Sequence, residues 1–401
     1  MRILHITTTR TGSTGRTATD LKTFITSLGE EYKIAYSEPD DKPIDGDILI
    51  GSRFDHKIHA FLSRVTGLQG YWSHLATWNL LRQVDKYHPD IVQLGNLHAN
   101  YINLPMLFRY LIKKQIPVVM ILHDCWFFTG KCTHFTASEC DKWKTYCYHC
   151  PVLKRDNVSW FFDYSSKMFR DRQKWYSRLT SHMVIAVSDW EKNLATQSPL
   201  FSKADVIRIY NWIDPDTFHP ASDEEKMAIR HKYGLDSSRR YIISVSGGWS
   251  SGTTKMEDAI AFANQLPNSY HLIMVGKATD IEFPKNIIHV PYTANLSELS
   301  ILYSLSEAYL HFSVEDTFGK VIAEAMACGT VPIVFDSTAC GETAGPYGYT
   351  VAPHDISAMV EATLSILPDD GEKVRKYALE NYQKSLNINK YWKQYKNFLS
   401  K

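Results

Sequence analysis

The chain has no long apolar run and no excess of charge of one sign. Among its 401 residues, no uninterrupted apolar stretch approaches the roughly 18 residues that cross a bilayer. Its 44 Lys and Arg residues balance its 43 Asp and Glu residues, which leaves a net charge of +1 and no global field that attracts nucleic acid. We therefore expect no nucleic-acid partner, and we expect any contact with a membrane to be peripheral.

The chain also has few cysteines, no internal repeat and no recognisable export signal. Its start, MRILHITTTRTG, contains an apolar run that is too short for a signal peptide and that is typical of a first strand. We therefore expect a cytoplasmic protein, with the inner face of the cytoplasmic membrane as the place of any peripheral contact. In that compartment the seven cysteines are expected to stay reduced.

The hydrophobic pattern predicts two α/β domains of about 200 residues each. In the first half, near-continuous β-branched runs of the kind found in parallel sheets alternate with helical patterns. The strands predicted there are residues 3–7, 48–51, 91–94, 118–122 and 183–187. After a polar surface segment at 214–240 the alternation restarts, with strands predicted at 241–246, 271–275, 287–290, 308–310 and 331–335. The restart indicates a second doubly wound domain.

The strongest local signal is the segment 315–330, in which a strand leads through a glycine-containing loop into a helix. The turn Thr317-Phe318-Gly319-Lys320 presents backbone N–H groups and the positive end of a helix dipole, which can bind phosphate. Glu324 lies about 7 Å into the helix at 1.5 Å per residue, whereas Asp316 stays in the loop. The two carboxylates therefore address different parts of one ligand. The alternative interpretation is that one charge caps the N-terminus of the helix and that the Glu is only solvated.

This segment resembles the signature of the retaining glycosyltransferases of family 4, in which Glu, seven residues and Glu precede Ala-Met-Ala-Cys-Gly. Asp316 stands where the family usually has Glu and is one methylene shorter. The resemblance implies the GT-B fold, in which two Rossmann-like doubly wound domains face each other across a cleft. It implies an acceptor-side domain at 1–210 with a cysteine-rich insertion at about 125–151, and a nucleotide-sugar domain at 211–380. The last helix, 381–401, is expected to cross back onto the first domain.

Other segments resemble the family in the expected order along the first domain. Gly12, Ser13, Gly15 and Arg16 are similar to its glycine-rich loop, whose backbone approaches the donor phosphate and the reacting sugar. His123 follows a strand where the family keeps a His near the sugar, and this order favours a functional over a structural role. The resemblance places three residues on the acceptor side: Asn96, His98 and Asp124.

In the second domain, the resemblance implies a diphosphate site after the first strand. The family usually has an Arg and a Lys there; Lys255 fits the second position, and Gly248 or Trp249 stands near the first. A surface Lys is the alternative interpretation. Tyr292 and Thr293 resemble the loop that reads the nucleobase. Together with the turn 317–320 these residues form the predicted donor site, in which Glu324 holds ribose while Asp316 and His123 position the sugar.

A cysteine cluster and an aromatic segment lie between the motifs of the first domain. Cys132, Cys140, Cys147 and Cys150 end in a CxxC pair without a second such pair, so a structural zinc site and reduced, unliganded thiols stay open as alternatives, ahead of disulfides. A similar insertion occurs in some bacterial polysaccharide glycosyltransferases. The basic and aromatic residues of 160–179 suit contact with anionic lipid, but an ordinary helix that packs its aromatics into the core is slightly favoured.

The resemblance as a whole predicts a retaining glycosyltransferase of bacterial surface polysaccharide biosynthesis. It implies transfer of a hexose-type sugar from a nucleoside diphosphate sugar to a glycan or a lipid-linked glycan, with no cofactor and no metal required for catalysis. Two alternatives share the architecture. One is a nucleotide-sugar epimerase, which needs an acid and base pair near the sugar. The other is a noncatalytic protein that binds nucleotide sugars, because a fold alone does not establish activity.

Overall fold

The computed structural model describes residues 1–37, 44, 46–278 and 281–400 and divides the chain into two compact units. The first unit is Met1–Ile209 together with Ile388–Lys401, and the second is Tyr210–Asn387. Each unit has its own parallel sheet with helices around it, as predicted. In the described part of the chain, no helix is both long and apolar enough to span a membrane.

The first unit contains a seven-stranded sheet in which every neighbouring pair is parallel. Its strands are β1 (Arg2–Ile6), β2 (Glu31–Tyr36), β3 (Ile48–Leu49), β4 (Ile91–Leu94), β5 (Val118–Leu122), β6 (His182–Ala186) and β7 (Asp205–Arg208). They follow the order β3-β2-β1-β4-β5-β6-β7. The order reverses between β1 and β4, and ligands of doubly wound sheets bind at such a switch point, beside the carboxyl ends of the strands.

The helices of the first unit cover this sheet. They are α1 (Gly12–Ser27), α2 (Arg53–Thr66), α3 (His74–Tyr87), α4 (Leu104–Lys114), α5 (Ser165–Tyr176) and α6 (Asp189–Ala195). The residues 388–400 of the last helix of the chain, α14 (Lys384–Ser400), belong to this unit as well. Tyr391 and Tyr395 of α14 are fully buried, and the Tyr395 hydroxyl donates to Gln93 Oε1 of β4.

The second unit contains a six-stranded parallel sheet of order β10-β9-β8-β11-β12-β13. Its strands are β8 (Arg240–Trp249), β9 (Tyr270–Ala278), β10 (Ile287–Val290), β11 (Ala308–His311), β12 (Val331–Phe335) and β13 (Tyr349–Val351). Its helices are α7 (Asp223–Tyr233), α8 (Thr254–Gln265), α9 (Leu296–Ser304), α10 (Lys320–Ala327), α11 (Cys340–Ala344), α12 (Ile356–Leu364) and α13 (Asp370–Tyr382). The strand order again reverses beside β8, and the predicted diphosphate loop follows this strand.

The structure departs from the predicted elements where the chain is polar. The segment 214–240, predicted as a polar surface excursion, contains the helix α7, which has a capping box between Ser222 and Glu225 and buries only Ile229. The edge strand β7 was not predicted, because it begins with Asp205 and ends with Arg208 and has only two apolar residues between them. Both elements bury too little side chain to leave a clear hydrophobic period in the sequence.

Candidate functional site

The turn between β11 and α10 is organised by Asp316. Its Oδ1 accepts hydrogen bonds from the backbone N–H groups of Phe318, at 3.1 Å, and Gly319, at 2.6 Å. Gly319 has a φ of +76°, and a Cβ there would lie 2.5 Å from Ile322 Cδ1, so only glycine fits without strain. Asp316 therefore holds two of the N–H groups that the sequence assigns to a phosphate, a use of this carboxylate that the motif did not reveal.

The second carboxylate oxygen of Asp316 faces a histidine. Oδ2 lies 3.7 Å from His311 Nε2, while the other ring nitrogen of His311 is hydrogen bonded to the Tyr309 hydroxyl at 2.9 Å. Burial lowers the pKa of His311 below its ordinary value of 6.5, against the opposing effect of the Asp316 charge, and the nearby Lys255 ammonium adds to the lowering. His311 is therefore neutral at pH 7. The sequence analysis missed this residue, although a His at the end of a buried strand was a signal.

Lys255 is held at the carboxyl end of β8. Its Nζ donates to Ser246 Oγ at 2.5 Å and to the Gly248 carbonyl at 3.0 Å, and it lies 4.8 Å from the centre of the Trp249 ring. Burial lowers the pKa of Lys255. The strands β8 and β11 are neighbours in the sheet, so Lys255 at the end of β8 and His311 at the end of β11 lie at the same edge, and Asp316 is 3.7 Å from His311.

The segment predicted as a loop around Gly248 and Trp249 is the end of a strand. The strand β8 continues to Trp249, with an irregular register to β9 between Val245 and Gly248. The indole N–H of Trp249 donates to the Val275 carbonyl at 3.1 Å, and only 2% of the residue is exposed. Trp249 is thus a core residue that contacts Lys255 through its ring, whereas Gly248 contacts Lys255 through its backbone carbonyl.

The other predicted residues of the second unit lie on separate elements. Glu324 is 2% exposed on α10, and its charge, like that of Asp316, acts on the buried Tyr309. Tyr292 is 56% exposed after β10, with Lys277 Nζ at 5.5 Å from its ring centre. The Thr293 hydroxyl donates to Glu298 Oε2 at 3.2 Å. Asp316 lies 3.7 Å from His311, and the described contacts of Tyr292 and Thr293 are with Lys277 and Glu298.

In the first unit, the predicted glycine-rich loop forms the start of α1. Gly12 begins this helix with a φ of +68°, and both Gly12 and Ser13 are exposed. At Gly15 a Cβ would lie 2.3 Å from the carbonyl carbon of Arg10, so the helix can approach the preceding backbone only with glycine here. The segment 12–16 therefore offers an exposed helix N-terminus, which attracts anions.

The acceptor-side residues gather at the carboxyl ends of β4 and β5. His98 Nε2 and Asp124 Oδ2 form an ion pair at 2.7 Å, and Asp124 Oδ1 accepts from the Trp126 N–H at 2.9 Å. Burial opposes charge on both groups, but their attraction and hydrogen bond outweigh it, so the pKa of His98 is raised and that of Asp124 is lowered. Burial lowers the pKa of His5, and the charge of the nearby His123 lowers it further, to about 3.

Asn96 contributes to this edge of the sheet through its backbone. Its carbonyl oxygen accepts hydrogen bonds from the Thr8 hydroxyl, at 2.9 Å, and the Tyr101 hydroxyl, at 2.8 Å. The ends of β1, β4 and β5 thus carry hydroxyl, imidazole and carboxylate groups at the switch point of the sheet. Such a set can hydrogen bond a hydroxyl-rich ligand such as a sugar.

The cysteine-rich insertion packs into the hydrophobic core of the first unit. Cys132, Cys140, Cys147 and Cys150 are free thiols that line a cavity of about 20 Å³. Burial raises the pKa of Cys147 to about 12, and the Gly130 N–H donates to its Sγ at 3.2 Å. In residues 1–37, 44, 46–278 and 281–400, no group of three or more His, Cys, Asp or Glu is arranged to hold a metal. The structural zinc site stays a prediction.

In the aromatic segment 160–179, the helix α5 packs Phe169 and Tyr176 into the core, as the favoured interpretation predicts, whereas Trp160, Phe161 and Phe162 before the helix are exposed. Phe169 and Tyr176 of α5 are at most 1% exposed. Arg172 of the same helix is equally buried and donates to the carbonyls of Thr129, at 2.7 Å, and Gly130, at 2.5 Å. The helix α5 is therefore a core helix that holds the insertion in place.

Comparisons with known proteins show the family and the fold of the chain. Residues 14–217 match the family model described as Glycosyltransferase Family 4, and residues 228–385 match the model described as Glycosyl transferases group 1. The chain is 24% identical over 207 residues to N-acetyl-alpha-D-glucosaminyl L-malate synthase of Bacillus anthracis. The aligned region covers 47% of this chain and 52% of that relative. The match thus spans about half the length of this curated relative.

Two solved structures have the same fold over the whole chain. Sucrose-phosphate synthase from Thermosynechococcus elongatus has a TM-score of 0.72 at 14% identity, with 100% of both chains covered. HepE from Anabaena, in complex with UDP and glucose, has a TM-score of 0.66 at 13% identity, with 99% of this chain and 100% of HepE covered. At these identities the two structures show only that this chain shares their fold.

Proposed function

The chain belongs to glycosyltransferase family 4 and has the GT-B fold, and we propose that it transfers a hexose-type sugar with retention of configuration. The donor is a nucleoside diphosphate sugar, and the acceptor is a glycan or lipid-linked glycan of a bacterial surface polysaccharide. The observation that carries the proposal is the convergence of Lys255, His311 and Asp316 beside the turn into α10. The UDP and glucose bound to HepE support a nucleotide-sugar donor.

Lys255 is the residue best placed to hold the donor diphosphate. Its Nζ is positioned by Ser246 and Gly248, so little side-chain freedom is lost when a phosphate arrives. A fixed cation at a partly desolvated site stabilises the negative charge that develops on the leaving phosphate, and such preorganised electrostatics is usually the largest catalytic contribution. Lys320, at the start of α10, adds positive charge to the proposed donor site.

The two oxygens of Asp316 have different tasks in this scheme. Oδ1 keeps the turn in shape through Phe318 and Gly319, and Oδ2, which faces His311, accepts a hydrogen bond from a sugar hydroxyl. This division explains how a side chain one methylene shorter than Glu serves at this position. Glu324 binds the ribose hydroxyls, and the backbone of 292–293 reads the base.

Residues of the first unit bind the sugar and the acceptor. His123 positions the transferred sugar with the backbone of Gly12, Ser13 and Gly15, and the edge formed by Asn96, His98 and Asp124 binds the acceptor. The acceptor oxygen bonds to the anomeric carbon on the face from which the diphosphate leaves. The bond between that carbon and the phosphate oxygen breaks, and the acceptor proton passes to the departing phosphate. The products are a nucleoside diphosphate and a glycoside of unchanged anomeric configuration.

The donor is tested by thermal shift with UDP, GDP, ADP and CMP sugars. A ligand at 100 times its dissociation constant adds about 2.7 kcal/mol to the free energy of unfolding. We expect one base to be preferred and Lys255→Met to weaken that binding at least about tenfold, equivalent to about 1.4 kcal/mol. Lys285→Met, at an exposed position of the same unit, is the matched control. Absence of a shift with every nucleotide sugar contradicts the proposal.

Turnover separates the transferase from its alternatives. The stabilising donor is incubated with extracted lipid-linked glycans, and the anomeric proton coupling of the product is measured by NMR. A retained anomer is expected. Release of the donor as its epimer indicates the epimerase, and donor binding without turnover on any acceptor indicates a noncatalytic protein. An inverted product refutes retention.

A further inference from the structure

The helix α2 turns its apolar face outwards. Phe54, Ile58 and Phe61 follow the i, i+4, i+7 spacing that places side chains on one face of a helix, and they are 71%, 42% and 55% exposed. The residues that α2 buries are His59 and Ser63. A helix on the surface of a globular protein normally does the reverse, because burying its apolar stripe is what holds it in place.

Polar contacts fix α2 in this orientation. His59 is fully buried, its Nδ1 is hydrogen bonded to Ser73 Oγ at 2.7 Å, and its Nε2 accepts from the Gly70 N–H at 3.2 Å. Burial lowers the pKa of His59 to about 3, so the ring stays neutral and keeps both bonds at physiological pH. Gly67 ends the helix with a φ of +74° where a Cβ would lie 2.3 Å from the Phe162 carbonyl oxygen. The helix therefore cannot rotate its apolar face inwards without leaving buried polar groups unpaired.

The exposed face of α2 continues onto the segment before α5. Consecutive ring centres are 6.1 Å apart from Phe61 to Trp160, 6.4 Å from Trp160 to Phe161 and 6.4 Å from Phe161 to Phe162. The Trp160 N–H donates to the Arg64 carbonyl at 2.6 Å, which anchors this segment to the end of α2. Trp160, Phe161 and Phe162 are 43%, 69% and 53% exposed. We name the six exposed side chains Phe54, Ile58, Phe61, Trp160, Phe161 and Phe162 the aromatic ridge.

Basic side chains accompany the aromatic ridge. The exposed basic residues in 53–64 and 154–162 are Arg53, Lys57, Arg64, Lys154 and Arg155. The acidic residues in these stretches and next to them make local hydrogen bonds. Asp55 binds Ser52, Asp156 binds Thr133, and Asp163 binds the backbone of Cys150 and Ser165. In a chain of net charge +1, this surface has a local excess of positive charge.

We propose that the aromatic ridge docks onto the surface of an anionic lipid bilayer. Exposed Trp and Phe side chains partition into the region of the lipid headgroups, and each basic residue near an anionic surface adds about fivefold to the affinity. A second copy of the chain would also cover the ridge. Such a dimer is disfavoured, because it would bring the basic residues beside the two ridges close together. The inference adds to the proposed function, since it assigns a place where a lipid-linked acceptor is within reach. It narrows the lipid-contacting part of 160–179 to Trp160, Phe161 and Phe162, because Phe169 and Tyr176 of α5 are buried.

The test is flotation of the full chain with two kinds of vesicles. One contains phosphatidylcholine alone and the other contains phosphatidylglycerol as roughly a third of its lipid. We expect the protein to float with the anionic vesicles, and the triple variant Phe54→Ser, Phe61→Ser and Phe161→Ser to lose at least about tenfold in affinity. The matched control replaces three exposed apolar residues of the second unit: Met227→Ser, Leu364→Ser and Leu367→Ser.

A charge variant and two further measurements keep the test decisive. Arg53→Glu with Lys57→Glu is expected to weaken binding to anionic vesicles, with the loss diminishing as salt is raised. Both ridge variants should keep the thermal shift with nucleotide sugar, which separates failure of this inference from failure of the proposed function. Wild type that does not float, or a triple variant that floats equally well, overturns the inference. So does a wild-type dimer in light scattering that becomes a monomer in the triple variant while neither floats.

Discussion

The ion pair between His98 and Asp124 offers a direct test of the electrostatics at the carboxyl ends of β4 and β5, where we propose that the acceptor binds. Replacing Asp124→Asn removes the charge that raises the pKa of His98 but keeps the shape of the side chain. It also keeps an oxygen that can accept from the Trp126 N–H, as Asp124 Oδ1 does at 2.9 Å. The substitution therefore isolates the charge from the capping role. Asp124→Ala removes both and is expected to cost more stability.

The size of the effect follows from the geometry of the pair. At 2.7 Å, two unit charges attract by about 6 kcal/mol at an effective dielectric constant of about 20, and desolvation cancels most of this gain. A hydrogen bond to a charged group is worth about 1.5 to 3 kcal/mol net. Since 1.36 kcal/mol corresponds to a pKa change of about 1, Asp124→Asn should lower the pKa of His98 by about 1 to 2. Burial remains in the variant, so the pKa should fall below 6.5.

The same shifts determine how the pair stabilises the fold. Because the pKa of His98 is raised above 6.5, its contribution is complete below that pH and is lost as the pH rises through the raised value. Because the pKa of Asp124 is lowered below 3.8, its contribution is complete above that pH and is lost as the pH falls through the lowered value. The pair should therefore stabilise the protein most between about pH 3.8 and 6.5.

The assay is an NMR titration of carbon-labelled histidines, in which His98→Gln identifies the resonance. Asp85→Asn is the matched control, because it breaks an ion pair with Lys114 in which both side chains are 46% exposed. The control should leave the pKa of His98 unchanged. If the wild-type His98 titrates at or below 6.5, or if Asp124→Asn leaves its pKa where it was, the account of this site is refuted.

Two further predictions concern backbone conformation and thiol chemistry. Gly319→Ala should destabilise the second unit by about 1 to 3 kcal/mol, because it forces a side chain into positive φ and against Ile322, and urea unfolding measures this loss; an unchanged midpoint contradicts it. In the native protein, Cys140 should react with a thiol reagent before the buried Cys147, whose pKa is raised to about 12, and unfolding should make both react fast. Equal native rates, or release of one equivalent of zinc during the reaction, contradict the thiol prediction, and zinc would favour the metal site.

The hydrophobic pattern was a good guide to most of the buried strands, but it missed β2, in which Glu31 and Lys33 interrupt the apolar residues. The strands β4 and β5 were predicted with their observed bounds, because all of their residues are buried and all except Gln93 are apolar. The pattern failed for the edge strand β7 and for α7, which are mostly polar. The family resemblance also implied a loop where Gly12 begins α1, because glycine and serine are typical of turns as well as of exposed helix starts.

Within the candidate site, the motif predicted which residues are present but not how they share their contacts. That Asp316 uses one oxygen for the turn and turns the other to His311 depends on β11 and α10, which the sequence alone does not place. The sequence alone also did not predict that the apolar face of α2 points outwards. Periodicity identifies which residues share a face of a helix, whereas the buried contacts of His59 decide which way that face points.

The hydrogen bond between Tyr395 and Gln93 has a consequence for synthesis on the ribosome. The two residues are 302 positions apart, and both belong to the first unit. At about 5 to 20 residues per second, translation needs roughly 15 to 60 s to produce Tyr395 after Gln93. During that time the side-chain oxygen of Gln93 has no Tyr395 hydroxyl from which to accept a hydrogen bond. The part of the first unit that α14 later covers is open. The nascent chain thus completes its first unit only after its second has been made.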